Sequence, residues 1–250
     1  MRKAPPMPEE QTASIAVPLD HYPFGFPDPR RASAEGLVAW GGDLSPARLL
    51  SAYRQGIFPW YNADNPILWW SPDPRLVLYP DDLKLSRSFR RVLRNAAYTV
   101  RFDHDFAATI QGCAQIPRPG QEGTWLHPAM QEAYLQLHRL GYAHSVEVYM
   151  EGALVGGLYG IALGRAFFGE SMFARRANAS KIALVALRGV LAAKSYDFID
   201  CQVETEHLVR MGAVAIERER FLRELDAALT DPDRVESWAE ITWEYHDESI

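Results

Sequence analysis

Asp200 and Gln202 stand two positions apart in Phe198-Ile199-Asp200-Cys201-Gln202-Val203, among apolar neighbours. The run reads as a buried strand, on which residues i and i+2 point to one face. An acid and an amide side by side in a core are costly unless partnered by each other, by backbone or by a ligand. The pair is therefore either a satisfied structural contact or a catalytic one, and the run alone does not decide between them. A second group with chemical meaning is basic. Arg87, Arg90, Arg91 and Arg94 follow Ser86 at helical spacing and share one face. No acid lies among them, so they repel one another by a few tenths of a kcal/mol per pair. That cost points to an anionic partner, phosphate first, against the plainer alternative of a solvated helix face.

The elements that must position these residues fall into two parts. Residues 1 to about 30 are rich in proline and polar side chains and carry no periodicity. Ser45-Pro46 then opens a helix, with serine as cap and proline at the first position. Leu49, Leu50 and Tyr53 give it an apolar face, and Gly56 stops it. The aromatic stretch Phe58-Pro59-Trp60-Tyr61 and Trp69-Trp70-Ser71-Pro72-Asp73-Pro74-Arg75 follows, read as irregular because of its prolines and as glue between domains. A boundary near residue 72 divides the chain into a small N-terminal domain, 1–72, and a larger one, 73–250. In the larger part 76–79 and 98–103 read as strands, and 86–94, 106–113 and 128–140 as helices. Strands at 145–150, 153–163 and 166–173 form a meander, followed by an amphipathic helix at 180–193 and a strand at 198–203. Leu222, Leu225 and Leu229 suggest a last helix. A meander, a helix and a further strand make an α+β order, which is also the core order of the Gcn5-related acetyltransferase (GNAT) fold.

Composition narrows the function. With 250 residues, 48% hydrophobic, and a net charge of −6, the chain suits a globular enzyme better than a protein coated in nucleic acid. No apolar run is long enough to cross a bilayer and the N-terminus lacks a signal peptide, so a cytoplasmic protein is expected. Cys113 and Cys201 read as buried free thiols, and no cysteine–histidine cluster supports a metal. No phosphate-binding GxxxxGK[ST], dinucleotide GxGxxG or zinc HExxH string occurs. The Arg/Gln-x-x-Gly-x-Gly/Ala loop that grips acetyl-CoA in the acetyltransferase fold is missing too.

Several strings, in order, resemble the leucyl/phenylalanyl-tRNA–protein transferases. They are Gly41-Gly42-Asp43-Leu44-Ser45-Pro46, Gly56-Ile57-Phe58-Pro59-Trp60, Leu68 to Arg75, Glu122-Gly123-Thr124-Trp125, His144 to Val148, Leu154 to Gly160, Gly169-Glu170-Ser171-Met172-Phe173, Asn178-Ala179-Ser180-Lys181 and Ile199-Asp200-Cys201-Gln202. The resemblance covers about residues 24 to 229. It implies a small N-terminal domain on a GNAT-like domain. It implies transfer of leucine or phenylalanine, and methionine to a lesser extent, from Leu-tRNA or Phe-tRNA to the α-amine of proteins beginning with arginine or lysine. The product is marked for degradation by the N-end rule pathway. The aminoacyl ester arrives activated, so no ATP, metal or other cofactor is expected, and the protein is expected to act as a monomer away from membranes.

Carried onto this sequence, the resemblance makes Asp200 and Gln202 the catalytic pair, with Glu170 holding the donor ammonium. Leu158, Phe167, Gly169, Met172, Leu187 and Ile199 would wall the pocket for the donor side chain. Trp60 and Trp125 would stack on the terminal adenosine, and the four arginines would meet acceptor-stem phosphates. Leucine at 158 and 187 departs from the larger side chains that can occur there. The first 20 or so residues and the last 20 match no motif and are taken as mobile additions. Three rivals are a coenzyme-A-dependent acetyltransferase, a tRNA-binding module without chemistry, and a sister transferase that adds leucine to N-terminal aspartate or glutamate.

Overall fold

The computed structural model describes residues 17–19, 25–116 and 124–246. The remainder of the polar N-terminal segment, Pro23 among it, and Glu122-Gly123 of the motif ending in Trp125 lie outside the described residues. The N-terminal part holds β1 (Val17–Pro18), β2 (Leu37–Trp40), α1 (Pro46–Arg54), β3 (Phe58–Pro59) and β4 (Leu68–Trp70), and its four strands form one sheet in the order β1-β2-β4-β3. The Ser45 hydroxyl caps α1 by accepting from the Arg48 N–H, with Pro46 leading the helix. Here the structure corrects the expectation of an irregular aromatic stretch. Phe58-Pro59 and Leu68-Trp69-Trp70 pair as strands. Proline is tolerated because β3 is an edge strand, where a missing N–H costs no ladder bond.

The larger part follows with β5 (Arg75–Leu78), α2 (Arg87–Asn95), β6 (Thr99–Phe102), α3 (Phe106–Gln115), α4 (Pro128–Arg139), β7 (Ala143–Met150), β8 (Ala153–Leu163), β9 (Ala166–Ala174), α5 (Ala179–Ala193), β10 (Phe198–Gln202), α6 (Glu206–Arg210), β11 (Val214–Ile216) and α7 (Arg218–Ala228). Its seven strands are ordered β11-β5-β10-β9-β8-β7-β6. The meander β7-β8-β9 is antiparallel, while β10 returns beside β9 in parallel after the α5 crossover. One apolar core joins the N-terminal sheet to α3, α4, α7 and one side of the large sheet. A second lies under α5 and α2. The fold is α+β. Among the described residues no helix is long and apolar enough to cross a membrane.

The C-terminal stretch is not an addition without a place. Trp238 is fully buried, its ring stacked at 4.0 Å on His144 and its backbone N–H bonded to Asp103. Trp243 comes close enough to Gly189 that a side chain there would collide with it. The segment lacks helical or strand periodicity, so only its tryptophans hint that it packs.

Candidate active site

Two irregularities open the large sheet at one point. The pairing of β9 with β10 runs through Ile199↔Phe167 and Asp200↔Phe168 and extends no further, so the strands part beyond it. On the other side of β9, Tyr159 faces Ser171 and Gly160 faces Gly169, which leaves Glu170 as the extra residue of a bulge. Between the parted strands lies a cavity of about 170 Å³. β10 is irregular as well. Its register with β5 shifts between Asp200 and Gln202, and Gln202 takes a left-handed φ of 59°. Simple alternation therefore does not place Gln202. Its backbone N–H, 2.9 Å from the Asp200 carboxylate, holds it in that uncommon conformation.

Asp200 is fully buried, and so is its partner Arg75. The guanidinium meets both carboxylate oxygens, Nε at 2.8 Å and Nη2 at 2.6 Å, and a further N–H reaches the Gly56 carbonyl at 3.1 Å. It is sandwiched between the rings of Phe58 and Phe221. A two-pronged pair of this kind is among the stronger charge contacts and fixes the orientation of both groups. Asp200 thus grips Gln202 through its backbone N–H, while the Gln202 amide turns to another carboxylate.

That carboxylate, Glu170, collects three donors from three elements. Tyr53 Oη of α1 donates at 2.8 Å, Gln202 Nε2 at 3.0 Å and Tyr134 Oη of α4 at 2.7 Å. Burial pushes the Glu170 carboxyl up to about 7, with the Asp200 charge adding and the tyrosine hydroxyls opposing. The two tyrosines are themselves pushed well above their ordinary range by burial and the nearby acid, so they stay protonated donors. Because the amide gives its N–H to Glu170, its oxygen is left over. Gln202 Oε1 is buried without a hydrogen-bond partner. Cys201 also lines the cavity, but burial pushes its thiol up, so it offers no thiolate nucleophile at neutral pH.

The structure brings Leu158, Gly169, Met172, Leu187 and Ile199 together on the cavity wall, with Glu170 and Gln202 beside them. Phe167 is not on that wall. It sits where β9 and β10 are still paired, against Trp238 and in the space a side chain at Gly160 would need. Trp60 and Trp125 are buried in the first core rather than on the wall. Trp60 packs edge-on against Trp70, and both indole N–H groups lack a partner. Arg87, Arg91 and Arg94 are exposed along α2 and Arg90 is half-buried, while Phe89 and Leu93 face inward. Sequence reasoning missed Arg75 and Tyr134 as site residues and took Tyr53 for packing. It also missed Thr205 and His207, which line the cavity from the α6 side.

An apolar slot with a carboxylate and an unsatisfied amide oxygen beside it is a site for an amine-bearing apolar group, and it sits in a sheet parted to admit one. Comparisons with known proteins agree with a transferase of that kind. Models of the leucyl/phenylalanyl-tRNA protein transferase match residues 77–226, and of its N-terminal domain residues 42–73. Relatives called leucyl/phenylalanyl-tRNA–protein transferase include one from Myxococcus xanthus, 53% identical over 88% of this chain and 94% of its own. One from Syntrophobacter fumaroxidans is 57% identical over 85% and 91%, and one from Aromatoleum aromaticum 61% over 75% and 78%. A solved GCN5-related N-acetyltransferase from Kribbella flavida superposes over 68% of this chain and 60% of its own, with a TM-score of 0.35 and 12% identity. The chain belongs to the leucyl/phenylalanyl-tRNA–protein transferase family and is an aminoacyltransferase.

Proposed function

We propose that the enzyme moves leucine or phenylalanine, and methionine less well, from aminoacyl-tRNA to the α-amine of proteins beginning with arginine or lysine. It would do so as a cytoplasmic monomer, marking its products for N-end rule degradation. The observation that carries this reading is the cavity itself, an apolar wall beside the Glu170 carboxylate and the orphan Gln202 oxygen. The donor side chain occupies the wall and its ammonium rests on Glu170, a charge-assisted contact. A wall of leucines, methionine and isoleucine separates similar apolar side chains poorly, since one methylene is worth about 1–3 kcal/mol. That suits an enzyme with more than one donor.

The reaction is aminolysis of an ester. The acceptor amine, with a pKa of about 7.7–8.0, is partly neutral at pH 7. Its N–H donates to Gln202 Oε1, which aims the lone pair at the ester carbon. The N–C bond forms, the bond from that carbon to the ribose 3′ oxygen breaks, and the proton released by the amine ends on that oxygen. Orientation of this kind contributes about 7–11 kcal/mol, so no strong base is needed. The clamp of Arg75 on Asp200, and the bond from Asp200 to the Gln202 backbone, favour a positioning role for Asp200 over that of proton acceptor. Trp60 and Trp125 receive the terminal adenosine, and Arg87, Arg90, Arg91 and Arg94 the acceptor-stem phosphates. The test is transfer of labelled leucine and phenylalanine from charged tRNA to peptides beginning with Arg, Lys, Asp or Ala, without ATP or acetyl-CoA. Label on the Arg and Lys peptides alone is expected. Label on the Asp peptide overturns the acceptor class, and label on none overturns the reaction.

A further inference from the structure

Away from Glu170 and Gln202 the cavity has a second polar flank that the transfer chemistry leaves unused. Thr205 caps α6, its hydroxyl accepting from the Leu208 N–H at 3.3 Å, and this holds His207 in the first turn. His207 lines the cavity, and its Nε2 is buried without a hydrogen-bond partner. Burial, with the charges of Lys181 and Arg210, lowers the pKa of the ring below its ordinary value, so it is neutral at pH 7. A neutral imidazole has one donor and one acceptor nitrogen.

The two polar flanks sit on different sides of the apolar wall. Tyr53 and Tyr134, which bind Glu170, belong to the first core, whereas Leu158, Leu187 and Ile199 belong to the second. Leu208, next to His207, packs against that second core. An amino acid whose ammonium rests on Glu170 therefore directs its side chain across the wall toward α6. A cavity of about 150 Å³ is enough to hold benzene. The 170 Å³ here accommodates a benzyl side chain with a little space beyond the ring.

Taking the cavity as the donor pocket, as proposed above, we infer that His207 is a specificity residue at its far end, where it hydrogen-bonds a polar atom at the tip of an aromatic donor. A para-hydroxyphenyl side chain, that of tyrosine, places an oxygen there. A para-methyl group of similar size leaves Nε2 buried and unpaired, which a site built around a hydrogen bond tolerates poorly.

The experiment charges one tRNA in turn with phenylalanine, tyrosine and para-methylphenylalanine and measures kcat/KM toward an arginine-initiated peptide. The proteins are the wild type, His207→Leu and His207→Gln. Phenylalanine transfer by the wild type tests the proposed reaction, and the ratio of tyrosine to para-methylphenylalanine tests His207, so the two can fail separately. The wild type is expected to prefer tyrosine by about tenfold or more, the worth of one buried polar group left unpaired. His207→Leu is expected to abolish or reverse that preference, and His207→Gln to retain part of it. Because a ratio is read, a general loss of activity does not imitate the effect. The same ratio in His207→Leu as in the wild type overturns the inference. If the leucine variant is inactive with every donor, the wild-type ratio decides: at or below one it overturns the inference, above one it upholds it.

Discussion

Glu147 on β7 and Glu170 on β9 are two buried carboxyls in one sheet, and burial pushes both up to about 7. Their surroundings differ. Glu147 is bound by the hydroxyl of Ser145, two residues away on its own strand, by Thr109 of α3 and by the backbone N–H groups of His104 and Asp105 at the start of that helix. These donors tie one strand to the helix packed on it. Glu170 takes its donors from α1, α4 and β10 and faces a cavity whose other polar atom, Gln202 Oε1, has no partner. A shifted pKa is common to both, so the shift does not mark the site. What marks it is a carboxylate assembled from distant segments beside polar groups still unsatisfied.

The comparison is broken most severely at Arg75. Arg75→Met leaves the Asp200 carboxylate buried and unpaired, and removing one partner of such a pair costs about 3–5 kcal/mol. Urea unfolding is expected to show that loss, with transfer reduced as Gln202 loses its anchor. An unchanged midpoint would mean that the pair does not hold the site. Glu170→Gln comes next. It removes a charge worth about 1.5–3 kcal/mol in a hydrogen bond, so kcat/KM for the donor is expected to fall roughly 10- to 100-fold. Glu147→Gln is expected to leave transfer at the wild-type rate. Equal losses from the two glutamine variants would erase the distinction between the carboxyls.

Much of this was legible in the sequence because it is local. The meander and α5 show in their hydrophobic periods, the Ser45 and Ser86 caps in their residue types, and the arginine face of α2 in its spacing. The Asp200–Gln202 pair stood out as polar residues in an apolar run. The rest is pairing across long separations. Residue 75 meets 200, and 53 and 134 meet 170, so Arg75 appeared only as the end of a motif and Tyr53 as an apolar helix residue. Alternation failed at Glu170 and Gln202, where a bulge and a left-handed residue interrupt the strands. Phe167 fell off the wall for a related reason, since nothing in the sequence says where two paired strands part. His207 lies in a helix of five residues, too short to show a period.

The pH dependence sharpens the contrast between the two carboxyls. Each has a folded-state pKa of about 7 against an ordinary 4.5, so the folded state holds more protons in that interval. Stability is then full below about 4.5, falls as pH rises and has lost this contribution once pH passes about 7. Each shift corresponds to about 3 kcal/mol. Either glutamine variant is expected to be more stable than the wild type at pH 8 relative to pH 5, by up to that amount, in thermal melts at both values. Activity separates them. Donor binding requires ionised Glu170, so kcat/KM at saturating acceptor is expected to climb through about pH 7 in the wild type and in Glu147→Gln but not in Glu170→Gln.

The smallest effect lies on α2, far from both carboxyls in chemistry. If Arg87, Arg91 and Arg94 meet phosphates, replacing any one by alanine weakens donor binding without changing which amino acid is preferred. Each such replacement is expected to reduce the slope of log kcat/KM against log salt by about one. Arg90, half-buried, is expected to change it less. Glu170→Gln provides the opposite pattern, a large fall in kcat/KM at every salt concentration with the slope intact, because the charge it removes meets an ammonium inside a cavity rather than a phosphate in solvent. A triple arginine variant with the wild-type slope would show that this face is only a solvated helix surface, since local repulsion among its arginines would then have no anion to offset it.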